Sequence, residues 1–145
     1  MFKRILIPID GSDTANQAIE KAVALAIAFK AQVQVVCVVD VYPFTGIGTD
    51  LAYGQAQYLS MATAEAHEAT AKAIAVFNAS GIDATSSVVE GQAIYRAILD
   101  AAAASGADLI VMGSHGRKGL QKLVLGSVAS QILSNTHLPV LIVRE

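Results

Sequence analysis

Short apolar runs alternate with longer stretches of helical spacing along the whole chain. Ile5-Leu6-Ile7-Pro8-Ile9 is a run closed by the turn residues Asp10-Gly11-Ser12, the signature of a short buried strand. Ala15, Ala18, Ile19, Ala22, Val23, Ala26 and Phe29 then fall on one face of a helix over about 13–30, with Ser12 placed to cap it. Val33 to Val41 reads as a second buried strand. Residues 42–50 carry Tyr42, Pro43, Phe44, Gly46 and Gly48 without periodicity, a loop expected to be mobile alone and partly ordered by a ligand. A long helix over about 51–79 ends at Gly81, the usual position for a helix-terminating glycine. Ile82 to Val89 is the third strand. A helix carrying Ile94, Ala97, Ile98 and Ala101 ends at Gly106. Leu109 to Met112 is the fourth strand, Ser127 to Asn135 the last helix, and Pro139 to Val143 the fifth strand.

Strands that alternate with helices imply a parallel sheet covered on both faces. Right-handed crossovers then give a doubly wound α/β fold, a single five-stranded parallel sheet with helices on each side. The 145 residues suit one domain spanning 1–145, and the pattern shows no internal repeat or low-complexity linker.

Composition narrows the function classes. A hydrophobic content of 54% excludes disorder, and a charged content of only 15% fits a small or partly covered surface. The net charge of −2 argues against a nucleic-acid partner, which needs a basic face. The one cysteine, Cys37, lies in an apolar run and reads as a core thiol. Lys3-Arg4 followed by an apolar run looks like a signal peptide, but the run stops at Pro8 and Asp10, too short for one. No stretch has the length of a membrane span, so a cytoplasmic protein without stable membrane insertion is expected.

In open parallel sheets, ligands bind beyond the carboxyl ends of the strands where the winding reverses. That directs attention to the loops starting at Asp10, Val39 and Gly113. The chain has no G-x-x-x-x-G-K-[ST] loop, and the turn at Asp10-Gly11-Ser12-Asp13 lacks the three glycines of a dinucleotide fingerprint. The segment from Gly113 to Ser127 is different: four of the 11 glycines lie there. Gly113 and Gly116 would let the main chain approach a phosphate, and Gly126-Ser127 opens a helix whose N–H groups and dipole favour an anion. Arg117, Lys118 and Lys122 add positive charge. A solvated loop that needs glycine only to turn accounts for the glycine count equally well. His67 and Glu68 read as the solvated face of the long helix, Asp13, Asp40 and Asp50 as scattered turn acids, and no metal-ligand cluster is evident.

The spacing G-x2-G-x9-G-[ST], set by Gly113, Gly116, Gly126 and Ser127, separates these readings. With the opening Ile5 to Ser12, the segment Asp108 to Gly116 and the closing Pro139 to Val143, it resembles the ATP-binding branch of the universal stress protein family over the whole chain. The resemblance implies a Rossmann-like fold of the adenine nucleotide alpha hydrolase type. It implies that Asp10 lies near the ribose and a phosphate-bound Mg²⁺, for which a carboxylate is a suitable hard ligand. The main chain at Val38 would meet the adenine, and Pro8 and Ile9 would help to wall its pocket. Gly113, Gly116, Gly126, Ser127 and the N–H of Val128 would hold phosphates, with Met112 lining the approach and Arg117 as a further contact. Asp10 by itself also reads as a turn residue capping the next helix. His115 has no serine or carboxylate tied to it by spacing, so no catalytic residue is assigned.

The function expected is an ATP-binding, nucleotide-dependent sensor or regulator in stress response, with ATP or another adenine nucleotide and Mg²⁺ as cofactors. A slow ATPase or a phosphoryl or adenylyl transferase using the same site is the alternative, as is an interaction module with an empty site. The last strand, Pro139 to Val143, is expected at a sheet edge, where an apolar strand invites pairing. A homodimer through residues 139–143 follows, with a higher oligomer left open.

Overall fold

The computed structural model describes residues 1–41, 52–115 and 125–144. Among them the elements run β1 (Arg4–Ile9), α1 (Asp13–Phe29), β2 (Gln32–Asp40), α2 (Ala52–Ala79), β3 (Ala84–Gly91), α3 (Ile94–Ser105), β4 (Leu109–Gly113), α4 (Ser127–Asn135) and β5 (Val140–Val143). The strands form one parallel sheet in the order β3-β2-β1-β4-β5. This is the doubly wound α/β sheet that the alternating pattern predicts. The chain winds outward from β1 to β3, then returns to the other side of β1 for β4 and β5.

Each face of the sheet has its own core. Ile5, Ile7 and Ile9 of β1, with Val33, Val35 and Val39 of β2, pack under α1 and α2 around Phe77. Leu6 and Val36 turn the other way, onto Ile98 and Ala102 of α3 and Ala129 and Ile132 of α4. Alternate residues of one strand thus serve opposite layers, which is why β1 and β2 read as unbroken apolar runs. Cys37 is buried in the first of these cores. Helix α1 buries the stripe that its spacing predicts, and the Ser12 hydroxyl caps it by accepting from Ala15 N–H at 3.2 Å. His67 and Glu68 lie exposed on α2, Glu68 paired with Lys72 at 3.1 Å.

The third strand begins at Ala84, two residues later than the apolar pattern suggests. Ile82 is spent on ending α2: its N–H reaches the Phe77 carbonyl at 3.0 Å while Gly81, at φ +73°, donates to Asn78. That is a Schellman turn, and its hydrophobic pair, Ile82 on Phe77, is part of the core. Helix α1 closes the same way with a lysine: Lys30 adopts φ 55° and Ala31 N–H bonds Ala26.

Two helix–strand contacts fix the carboxyl end of the sheet. A Cβ on Gly113 would stand 2.7 Å from Thr14 Cγ2 and 3.1 Å from Thr14 Cβ. A Cβ on Gly126 would stand 2.9 Å from the Ser114 carbonyl oxygen, the same oxygen that accepts Gly126 N–H at 2.7 Å. Both glycines are therefore demanded by packing inside the protein, whatever the loop binds.

We expect Gly113→Ala to destabilise the fold by about 1–3 kcal/mol through overpacking on buried Thr14. In denaturant titrations, a double-mutant cycle with Thr14→Ala should then recover at least about 0.5 kcal/mol. Strict additivity would show that the collision with Thr14 is absorbed elsewhere.

Candidate functional site

The site is built by how β1 meets its two neighbours. Asp108 N–H donates to the Arg4 carbonyl, so even-numbered residues of β1 face β4; Gln32 N–H donates to the Lys3 carbonyl, so odd-numbered residues face β2. At the amino end the β1–β4 pair is clamped, with the Asp108 carboxylate accepting Lys3 N–H at 2.8 Å and Arg4 N–H at 3.1 Å. The pairing then stops after Leu6↔Ile110, although both strands continue. The next residue of β1 that faces β4 is Pro8, which has no N–H to donate. A proline in a central strand is normally excluded for this reason. Here it parts β1 from β4 at the carboxyl end, at the point where the winding of the sheet reverses.

Beyond that gap the chain leaves β1 and β4 toward opposite faces, into α1 and α4. The turn after β1 is tight: Asp10 Oδ1 accepts Ser12 N–H at 2.9 Å, and Gly11 takes φ +82°. The turn part of the Asp10 reading is thus realised, while the cap of α1 is Ser12, and Asp10 is half-buried at the mouth of the gap. On the other side, Ser114 N–H bonds the Val143 carbonyl at 2.9 Å and its carbonyl receives Gly126 N–H. These bonds hold the first turn of α4 against the end of β4. Helix α4 starts at Ser127 after an extended Gly126, and among the described residues no side chain caps it. The amides at its amino end are therefore left to solvent or a ligand, with the dipole adding positive potential. Ser127 is exposed there and Val128 half-buried against the second core.

Even-numbered residues of β2 face β1, and the β1–β2 pairing ends at Ile9↔Cys37. Val38 thus turns its carbonyl to the space just past the end of β1. Two residues on, the Asp40 carbonyl is held by the Tyr58 hydroxyl of α2 at 3.1 Å. Tyr58 was not anticipated from sequence, because a tyrosine within a helical pattern carries no signal of a partner on a distant strand.

The expected residues divide into three groups. Asp10, Val38, Gly113, Gly126, Ser127 and Val128 come together around the carboxyl ends of β1, β2 and β4, with Pro8 and Ile9 buried behind them. The Met112 side chain is 5% exposed and lies in the core under α3 and α4, so it supports the site from within. Gly116 and Arg117, with Lys118 and Lys122, lie outside the described residues, as does the loop 42–50. His115 has a partner that spacing did not suggest, its own neighbour: Ser114 Oγ lies 3.1 Å from Nδ1. Ser114 is 3% exposed and is fixed at both main-chain groups, so this hydroxyl holds the loop in place. Among the described residues no group of three or more His, Cys, Asp or Glu could hold a metal ion. A divalent cation at Asp10 would need most of its oxygens from a bound phosphate and water, which suits Mg²⁺.

Restoring the missing donor should close the gap. We expect Pro8→Ala to add a bond to β4, raise stability by about 0.5–1.5 kcal/mol and weaken any ligand held between the strands. Hydrogen exchange at residue 8 reads the outcome directly. A freely exchanging amide there would mean that something other than the proline parts the strands.

The family model described as "Universal stress protein family" matches residues 1–144. Universal stress protein MJ0531 of Methanocaldococcus jannaschii is 36% identical over 146 residues, covering 100% of this chain and 84% of that protein. MJ0577, a universal stress protein of the same organism, has a solved structure that superimposes with a TM-score of 0.87 at 27% identity, covering 100% of this chain and 97% of that one. UspA from Lactobacillus plantarum gives 0.88 at 25% identity, covering 98% and 97%. Two more distant structures share the fold. One universal stress protein was solved with cAMP, at TM-score 0.64 and 24% identity, covering 99% and 97%. Another, from Archaeoglobus fulgidus, was solved with dAMP, at 0.62 and 22%, covering 98% of each chain. The sheet order, the match along the chain and the identity to MJ0531 agree: the chain belongs to the universal stress protein family.

Proposed function

We propose that this chain binds an adenine nucleotide, ATP with Mg²⁺, in the gap between β1 and β4, and acts as a nucleotide-dependent regulator in the stress response of the cytoplasm. The observation that carries this reading is the start of α4: the side-chain-uncapped amides of Ser127 and Val128, at the mouth of a gap that Pro8 holds open. Phosphate belongs there on electrostatic grounds. Asp10 then lies on the opposite rim to accept ribose hydroxyls or ligate Mg²⁺, and the Val38 carbonyl faces the space an adenine would fill. The cAMP and dAMP complexes of distant family members support the adenine part of the reading. The triphosphate part is supported by the sequence Arg117-Lys118 and Lys122, whose charges suit more than one phosphate.

Hydrolysis is slow or absent in this proposal. Efficient phosphoryl transfer needs a base beside the phosphates, and the residues gathered here bind and orient. The signal is then the bound state itself. With one domain over 1–145, it passes to partners or to a second copy of the chain.

Ser127→Ala and Asp10→Asn separate the two halves of the site. We expect both proteins to fold and both to bind ATP at least about 5-fold more weakly by calorimetry, a loss of about 1 kcal/mol. Only the Asp10 effect should shrink when Mg²⁺ is chelated. Wild-type affinity in both variants would refute the site, and steady release of ADP by the parent protein would favour the ATPase reading.

The homodimer is proposed on β5. Ile110 N–H donates to Pro139 and Ser114 N–H to Val143, so odd-numbered residues of β5 serve β4 while Val140 and Ile142 turn their amides to the free edge. Leu141 is 40% exposed beside them. Ile142→Pro should therefore abolish this pairing without touching the β4–β5 ladder. Light scattering should show loss of the β5 dimer, and an unchanged mass would place the contact elsewhere.

A further inference from the structure

The opposite edge of the sheet is built differently from β5, and its one defence is the charge of Glu90. Natural edge strands are kept from pairing by shortness, proline, lysine or a bulge. Strand β3 runs eight residues, Ala84-Thr85-Ser86-Ser87-Val88-Val89-Glu90-Gly91, against four for β5. It has no proline and no lysine, and its register with β2 runs unbroken from Ala84 to Gly91. Val33 N–H bonds the Asp83 carbonyl and Val41 N–H the Gly91 carbonyl, so odd-numbered residues face β2. Ala84, Ser86, Val88 and Glu90 present their N–H and C=O groups outward, and among the described residues no strand pairs with them.

We propose that this edge is a second self-association surface, on which β3 of another copy pairs antiparallel about a twofold axis at Ser87. The register follows from the strand itself. Ala84 then opposes Glu90 and Ser86 opposes Val88 as hydrogen-bonded pairs, while Thr85 opposes Val89 and Ser87 meets its own counterpart. All four outward residues of each copy are satisfied. Glu90, the one charge in the strand, faces an alanine, so no like charges oppose each other.

The helix above the edge fits the same partner. Helix α2 packs on both β2 and β3. Its Glu65, Glu68, Lys72 and Val76 line the cleft toward α1. At 3.6 residues per turn the opposite flank, which overlooks the β3 edge, carries Ser60, Thr63, His67, Ala71, Ile74 and Asn78. That flank has no Asp, Glu, Lys or Arg, although α2 carries charge on its other side. Across the proposed axis, two helices each seated over a β2–β3 pair would lie two strand spacings apart, about 10 Å, which is the packing distance of helices. A flank without acidic or basic chains apart from His67 suits that approach. A strand from an unrelated protein would meet hydroxyls and one carboxylate with no pocket to select it, whereas a second copy matches in both layers.

The test separates the two edges by sedimentation. Ser86→Pro removes an outward donor and leaves the β2 ladder intact; Ser86→Lys guards the edge without proline. With both edges active the parent assembles beyond a dimer; Ile142→Pro alone should fall to a dimer held through β3, and should become monomeric when combined with either Ser86 change. Ser87→Cys should form an intermolecular disulfide under mild oxidation, because a non-hydrogen-bonded pair on the axis brings two cysteines within bridging range. Thr85→Cys should not. An Ile142→Pro protein that is monomeric at hundreds of micromolar, or dimers that persist through both Ser86 changes, would overturn the β3 pairing. A parent dimer lost through the Ser86 changes and untouched by Ile142→Pro would uphold it and refute the β5 dimer instead.

Discussion

One missing hydrogen shapes this molecule. Strand β1 lies at the centre of the sheet and should bond on both sides along its length, yet Pro8 cannot donate toward β4 and the pairing stops at Leu6↔Ile110. At the other end of the same pair, Asp108 grips the amides of Lys3 and Arg4. The two strands therefore form a wedge, closed at the amino end and open at the carboxyl end. Everything proposed for function stands at the open end: the Asp10 turn, the Val38 carbonyl and the first turn of α4. A rung of about 1 kcal/mol is given up, and a cleft is obtained in the middle of an otherwise continuous sheet.

The glycine pattern carries two duties that are easily confused. Gly113 admits Thr14 of α1, and Gly126 admits the Ser114 carbonyl. Neither contact requires a nucleotide, so those glycines would be needed in this packing even with an empty site. Ser127 and Asp10 are different. Ser127 is exposed at the amino end of α4 and serves no core, and Asp10 orders a turn that other short polar residues also order. Ser127 therefore points to a ligand more directly than the glycines do, since packing alone does not call for a hydroxyl at the start of α4. The open amides of Ser127 and Val128 stand at the mouth as a by-product of the close approach that Gly126, itself bonded to the Ser114 carbonyl, permits.

The legible parts of the fold were those where one local signal had no competitor. The apolar stripe of α1, its Ser12 cap and the glycine end of α2 appear where the residues place them. The apolar pattern draws Ile82 into β3 because an apolar run does not reveal that a residue is spent on a Schellman contact with Phe77. Lys30 hid a left-handed helix end, since a lysine gives no sign of a positive φ. Pro8 was legible as a break in an apolar run, but its consequence depends on which neighbour its missing N–H faces, and that is a property of the assembled sheet. The same holds for Gly113: the turn chemistry visible in sequence understates a collision with Thr14, about a hundred residues away.

The distance from the site to each sheet edge matters for how a bound ligand could be felt elsewhere. Ser114 joins three elements through its main chain: its carbonyl holds Gly126 at the start of α4, and its N–H holds Val143 at the end of β5. Two hydrogen bonds therefore separate the proposed phosphate position from the β5 edge. The β3 edge is reached across β2, whose end is steadied by Tyr58 on Asp40, or through α3, which packs on both α4 and β3. A shift of α4 would reach β5 through two backbone bonds and β3 only through the side-chain packing of α3 or the length of β2. Within one short sheet, the two edges are thus mechanically unequal: β5 shares its last backbone bond with the loop that frames the site, and β3 is anchored by eight continuous residues of pairing to a strand that touches the site only at its tip.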